Sequence, residues 1–135
     1  MTDKELQVHR RFFPNGKVMS EWTERNGQLH GMRRHWFEDG RLFSQGEYRD
    51  GCAHGVIREW TEDGRLTLEA NYKDGKLDGL YQSWWDDGVK KEEGVYVQGR
   101  RQKGFRWFRS NGELWRESVT EGSDWSGHDF TTKGT

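Results

Sequence analysis

Four glutamates recur at one place along the chain, Glu21, Glu69, Glu93 and Glu117, with Gln45 standing in once. Paired carboxylates could do acid–base work. His30 and His54 hold matching positions, each just before a glycine, and imidazole is a common metal ligand. Residues 100–109, RRQKGFRWFR, interleave five basic side chains with three aromatic ones, a mixture that could stack bases and neutralise phosphates, meet an anionic membrane or dock an acidic protein. Cys52 is the single cysteine, so no intrachain disulfide is available; a reducing compartment fits this.

The elements that would position these residues argue against chemistry. The glutamates fall on every second strand of the repeat described below, which spaces near neighbours about 10 Å apart. Pairing with basic neighbours on a solvent face is the simpler role. His9, His35 and His128 are scattered, and Asp78 and Lys103 take the place of His30 and His54 in later units, so the position does not demand imidazole. Cys52, placed in a turn, shows no sequence sign of activation. There is no phosphate-cradling glycine loop in a strand-to-helix context and no nucleophile motif. No catalytic residue, cofactor site or metal site is expected.

The organisation is repetitive. Phe12, Trp36, Trp60, Trp84 and Phe108 are 24 positions apart, and each is followed four residues later by a glycine: Gly16, Gly40, Gly64, Gly88 and Gly112. Tyr48, Tyr72 and Tyr96 come eight residues after three of these glycines. Asp/Asn-Gly turn signals recur within each unit and again between units, as at Asn26-Gly27, Asp50-Gly51 and Asp74-Gly75. Such dipeptides tolerate positive φ and close hairpins. Alternation of turns predicts an all-β, elongated antiparallel meander of about ten strands in a single curved sheet, made of stacked 24-residue hairpins. Residues 8–127 would form five repeats in one domain, with an N-terminal extension over 1–7 and a tail over 128–135.

In the unit over residues 56–79, strands are predicted over 56–61 and 65–72. A three-residue loop with Gly64 in a bulge pairs Trp60 with Leu66. That register predicts a buried face of Val56, Trp60, Leu66, Leu68, Ala70 and Tyr72, with Ile57 as the misfit. Glu59, Thr61, Arg65, Thr67, Glu69 and Asn71 would take the opposite face. In unit two the buried set would be Met32, Trp36, Leu42 and Tyr48. In units four and five the same rule puts Lys90, Glu92, Arg106 and Arg116 inward. It leaves Tyr81, Trp85, Val95, Phe105, Trp107, Trp115 and Val119 outside. An exposed aromatic patch ringed by Arg101 and Arg109 is the pattern of a binding surface. Tyr81, Trp85, Arg101, Phe105, Trp107, Arg109 and Trp115 are therefore the candidate partner-binding residues, against the alternative of a terminal cap or a homodimer seam.

Composition sets bounds on partners. With 22 basic and 23 acidic residues the net charge is −1, which lacks the basic excess of a dedicated nucleic-acid binder. Only 30% of residues are hydrophobic, yet eight are Trp, seven Phe and four Tyr. A few large rings must do the burying, which suits a thin sheet. The polar start shows no secretory signal and no stretch is long and apolar enough for a spanning helix, so a cytoplasmic location is expected.

The string aromatic–x–x–Asp/Asn–Gly, then Tyr, then x–Gly, then x–x–His/Asp–Gly resembles the MORN repeat, and more specifically its bacterial variant. It reads here as Trp36-Phe37-Glu38-Asp39-Gly40, Tyr48-Arg49-Asp50-Gly51 and His54-Gly55, and again as Trp60 to Gly64, Tyr72 to Gly75 and Asp78-Gly79. The pattern departs at the ends, where Glu24 and Thr120 replace the tyrosine and Ser123 a glycine. The resemblance implies stacked β-hairpins and no catalytic residues. It further implies a toxin-antitoxin role: an immunity or antitoxin protein that binds a cognate toxin and occludes its active or substrate-binding surface. Other MORN proteins bind membranes or scaffold proteins, which is the alternative function. The expected partner is thus a toxin protein, not nucleic acid, with membrane association or a homodimer as the lesser options.

Overall fold

The computed structural model describes residues 5–120 and 130–132. Among them there is no helix, and thirteen strands form one antiparallel sheet. They are β1 (Gln7–Phe12), β2 (Val18–Arg25), β3 (Gln28–Trp36), β4 (Leu42–Arg49), β5 (Cys52–Ala53), β6 (Gly55–Trp60), β7 (Leu66–Lys73), β8 (Lys76–Trp84), β9 (Lys90–Val97), β10 (Arg100–Arg101), β11 (Arg106–Phe108), β12 (Leu114–Ser118) and β13 (Phe130–Thr132). Strands follow one another in chain order from β1 to β13, with β5 and β10 as short offshoots on β4 and β9. The meander expected from the turn signals is the observed one. β13 lies in the stretch read from sequence as a tail, and it pairs with β12. Residues 1–4, 121–129 and 133–135, which hold most of the expected end segments and Ser123, lie outside the described residues.

Two kinds of turn alternate, each with its own cause. Between units, Asn26, Asp50, Asp74 and Gln98 have φ of 48–54°, and the glycine after each is also left-handed. Two successive positive φ values give the tight hairpin whose twist matches its strands. Within units, the chain closes as at Thr61, whose N–H donates to Arg65 O at 2.8 Å while Gly64 N–H donates to Thr61 O at 3.0 Å. Gly64 has φ of 91°, the three-residue loop predicted from the sequence.

The predicted pairing of Trp60 with Leu66 is present, but the face assignment built on it is not. The register shifts between Glu59 and Trp60, so that Glu59 pairs with Leu68, Ile57 with Ala70 and Val56 with Asn71. The same shift recurs before Phe12, Trp36, Trp84 and Phe108. One extra residue in the partner strand moves the whole side-chain set of the first strand to the other face. Ile57, the apparent misfit, therefore shares a face with Leu68, Ala70 and Tyr72, and Val56 is on the opposite one. Met32 pairs with Glu47, away from Tyr48, for the same reason.

On the aromatic face, small residues sit under large ones. A Cβ on Gly46 would lie 2.8 Å from Ile57 Cγ1, and one on Gly94 would lie 2.2 Å from Phe105 Cδ2. Ala70 pairs with Tyr81 and Tyr81 with Gly94. In a single sheet with no covering layer, this alternation is how large side chains lie flat enough to leave water. Ala70, Phe105 and Trp107 are the buried apolar residues.

The other face carries a ladder of charge: Arg10, Glu21, Arg34, Gln45, Arg58, Glu69, Gln82, Glu93, Arg106 and Glu117 occupy successive strands in register. Arg10 Nε meets Glu21 at 2.7 Å, Arg58 Nε meets Glu69 at 3.0 Å and Arg106 Nε meets Glu117 at 2.9 Å. Lys90 reaches both Gln82 and Glu93. The recurring glutamates are thus paired with basic neighbours, as expected. Exposed ion pairs contribute little singly, about 0–1 kcal/mol each; their regular alternation mainly fixes strand register.

Candidate partner-binding cleft

The C-terminal strands build a largely apolar site. β8, β9 and β11 bring Tyr81, Tyr96, Phe105 and Trp107 into one cluster. Phe105 lies 5.8 Å from Tyr81, 5.5 Å from Tyr96 and 4.6 Å from Trp107, ring centre to ring centre. Arg101 is fully buried within it, its guanidinium 5.4 Å from the Trp107 ring centre and hydrogen-bonded to Tyr96. Glu92 accepts from Ser83 Oγ at 2.7 Å and from Tyr81 OH at 3.4 Å. Burial first, and then the Glu92 charge, push the Tyr81 phenol far above its usual range, so it remains a neutral donor. Burial likewise raises Tyr96, against the opposing pull of Arg101.

Above this cluster lies a cleft of about 570 Å³ lined by Trp85, Lys91, Glu92, Trp107, Phe108, Arg109, Ser110 and Trp115. Lys91 Nζ sits 4.7 Å from the Trp85 ring centre, and the Arg116 guanidinium sits 4.3 Å from that of Trp115. Two repeat positions bring these side chains together. One is the residue after the unit's aromatic, Trp85 or Arg109. The other is the extra residue at the register shift, Lys91 or Trp115. A volume of this size holds one or two large side chains, and the aromatic walls with cationic neighbours suit apolar and acidic groups.

The candidate residues divide on this geometry. Of the seven candidates, Trp85, Trp107, Arg109 and Trp115 line one cleft. Phe105, Trp107 and Arg101 are not an exposed outer patch: they are 1%, 7% and 0% exposed. The correction follows from the register shift, which puts Phe105 and Trp107 on the same face as Tyr48 and Tyr72. Phe105, Arg101 and Tyr81 support the cleft from beneath, and Trp107 is its floor. Val95 faces the ladder side, paired with Leu80. Lys91, Glu92, Phe108 and Ser110 are cleft residues that the sequence reading did not count among the binding candidates. The signal for Lys91 was its match to the position of Trp115 one repeat later.

A second cavity, of about 590 Å³, lies over the central units and includes Arg33, His35, Tyr48, Ile57, Glu59 and Tyr72. His35 accepts from Arg33 Nε at 3.1 Å, and burial, with the Arg33 charge, lowers its pKa from 6.5. His35 and Glu59 both pair with Ser44 from opposite sides. They are two strands apart, about 10 Å, too far to share a proton directly. His30 Nδ1 accepts the Asp50 backbone N–H at 3.2 Å, a turn-closing role. Among the described residues no group of three or more metal-binding side chains converges.

A single meandering sheet of hairpins repeated along the chain, with an open cleft on its C-terminal strands, defines a repeat architecture. The model of the MORN repeat variant family matches residues 8–23, 29–50, 53–74 and 77–98, more than half of the chain. The protein belongs to the MORN repeat variant family. The fifth unit, which carries Arg109 and Trp115, lies beyond the matched segments but continues the same sheet. No curated protein matches the chain. MORN repeats indicate binding to proteins or membranes.

Proposed function

We propose that the chain is a non-catalytic protein-binding module of the immunity or antitoxin type, acting in the cytoplasm to neutralise a cognate bacterial toxin by covering its active or substrate-binding surface. The observation that carries the protein-binding part is the cleft walled by Trp85 and Trp115 over a floor of Trp107, with Lys91 and Arg109 beside it. Aromatic anchors seated in a pocket and flanked by charge are what tight protein interfaces concentrate. The buried cluster of Phe105, Arg101 and Tyr81 holds the walls in place before a partner arrives, which reduces the ordering cost of association. The antitoxin part rests on the family resemblance together with this preformed surface.

The test is co-expression with a toxin-like protein encoded beside the gene. Rescue of growth, with a purified complex that loses about 30-fold or more in affinity on Trp85→Ala or Trp115→Ala, supports the reading. Absence of both rescue and binding overturns the toxin assignment. Sedimentation with anionic vesicles, abolished by the same substitutions, would replace it with a membrane-associated module.

A further inference from the structure

The charge ladder stops at an open edge. Among the described residues β1 pairs only with β2, so alternate backbone N–H and C=O groups of Gln7–Phe12 point away from the sheet. Inside the sheet a ladder arginine faces partners on both sides. Arg34 reaches Glu21 at 3.9 Å and Gln45 at 3.3 Å, and Arg106 reaches Glu93 at 3.9 Å and Glu117 at 2.9 Å. Arg10 has Glu21 on one side and, among the described residues, no strand on the other, with its side chain 49% exposed. Glu21, Glu69, Glu93 and Glu117, with Gln45 once, flank the inner ladder arginines, so the rung missing beyond Arg10 suits a carboxylate. Leu6, Val8 and Phe12, which alternate with Arg10 along this face, are each more than half exposed.

We infer that the β1 edge accepts an added antiparallel strand from an acidic partner protein, whose carboxylate takes the open rung beside Arg10 while apolar residues two positions away on either side cover Val8 and Phe12. Backbone pairing supplies the attachment and side-chain alternation the selectivity. A second copy of β1 fits poorly. Setting Val8 against the partner copy's Phe12 brings Arg10 against Arg10 and His9 against Arg11, and like charges directly opposite repel. The site stands apart from the aromatic cleft at the other end of the sheet.

The test uses the full chain and an end-blocked probe peptide, VEETITV, which in antiparallel register sets a glutamate against Arg10, valine against Phe12 and isoleucine against Val8. Binding is read by anisotropy, with amide exchange reporting on Gln7–Phe12. VEETITV is expected to bind at least about tenfold tighter than VKKTITV and to protect alternate β1 amides. Arg10→Gln should reduce that preference several-fold, Arg11 opposite the second glutamate keeping the remainder, with an unchanged circular dichroism spectrum, and Trp85→Ala should leave it intact, separating this edge from the cleft. Two N-methylated probes, blocked on opposite sets of alternate amides, should differ about tenfold in affinity, because only one set faces β1. Equal affinity of the two N-methylated probes, or no preference for VEETITV over VKKTITV up to about 1 mM, overturns the proposal.

Discussion

Replacing Gly94 by alanine should unseat the support of the cleft. The new methyl would fall 2.2 Å from Phe105 Cδ2 and 2.6 Å from its Cγ, whereas carbon atoms rest at about 3.5–4.0 Å. The ring would have to retreat by roughly 1.5 Å. It has no vacancy to enter, since Tyr81, Tyr96 and Trp107 enclose it at 4.6–5.8 Å between ring centres. Overpacking of a filled site costs about 1–3 kcal/mol, and a rigid ring held on three sides puts Gly94→Ala near the upper end, about 3 kcal/mol. Phe105→Ala alone should cost about 4 kcal/mol, within the usual range for losing a buried ring. The double substitution should cost less than the sum by about 2 kcal/mol, because the methyl then occupies space the ring has left. Urea unfolding followed by tryptophan fluorescence and circular dichroism measures all three. Gly46→Ala is the internal control. Its methyl would meet the flexible end of Ile57 at 2.8 Å, which can turn away, so about 1 kcal/mol is expected. A Gly94→Ala protein within about 0.5 kcal/mol of the parent, or strict additivity with Phe105→Ala, would refute the seating of Phe105 on Gly94.

Three further outcomes are expected. His35 has a folded pKa depressed below 6.5, by burial and then by Arg33, so the unfolded chain binds the proton more readily. The stability it contributes is full above pH 6.5 and is lost as pH falls below it toward the depressed value; His35→Gln should flatten the pH 7 to 5 limb of a thermal-melt series, and an unchanged limb would count against this. Gln98 holds φ of 48° where three other units have Asn or Asp, so Gln98→Asn should stabilise by about 0.5 kcal/mol in a urea titration, and Gln98→Val should destabilise. Trp60 is only partly buried, so Trp60→Ala should cost about 2 kcal/mol in the same titration, below the range for a fully buried ring.

The meander, the turn positions and the three-residue loop were legible because glycine and Asp/Asn placement is a local requirement. A left-handed φ at Gly64 or Asp74 narrows the residue choice whatever the rest of the chain does. The faces were not legible, because a register shift of one residue leaves almost no local mark. Glu59 looks like a solvent residue and Ile57 like an error until the shift before Trp60 is known. The same ambiguity dispersed the C-terminal site. Alternation counted across the shift groups Phe105 and Trp107 with Trp85 and Trp115 on an exposed face, whereas Phe105 and Trp107 are buried. Arg101 is the extreme case: an arginine in a basic run reads as exposed, and only the ring of Trp107 and the Tyr96 hydroxyl show why it is buried.

The shift also explains why the cleft lies where it does. Each unit places two side chains near one another, the residue after its aromatic and the extra residue opposite. In unit two these are Phe37 and Phe43, whose rings touch at 5.1 Å. In unit three they are Thr61 and Thr67, and the space beside them is part of an open cavity. In unit four they are Trp85 and Lys91, and in unit five Arg109 and Trp115, which jointly line the cleft. The backbone geometry at these positions is repeated while the chemistry changes from unit to unit. The first position closes its turn through its backbone, as Trp85 O accepts from Gly88 N–H and Arg109 O from Gly112 N–H, and neither side chain belongs to the charge ladder or the small-under-large packing, so the fold constrains these side chains least. A partner that reads this chain along its sheet meets its greatest variety of side chains here, on strands whose spacing is already set.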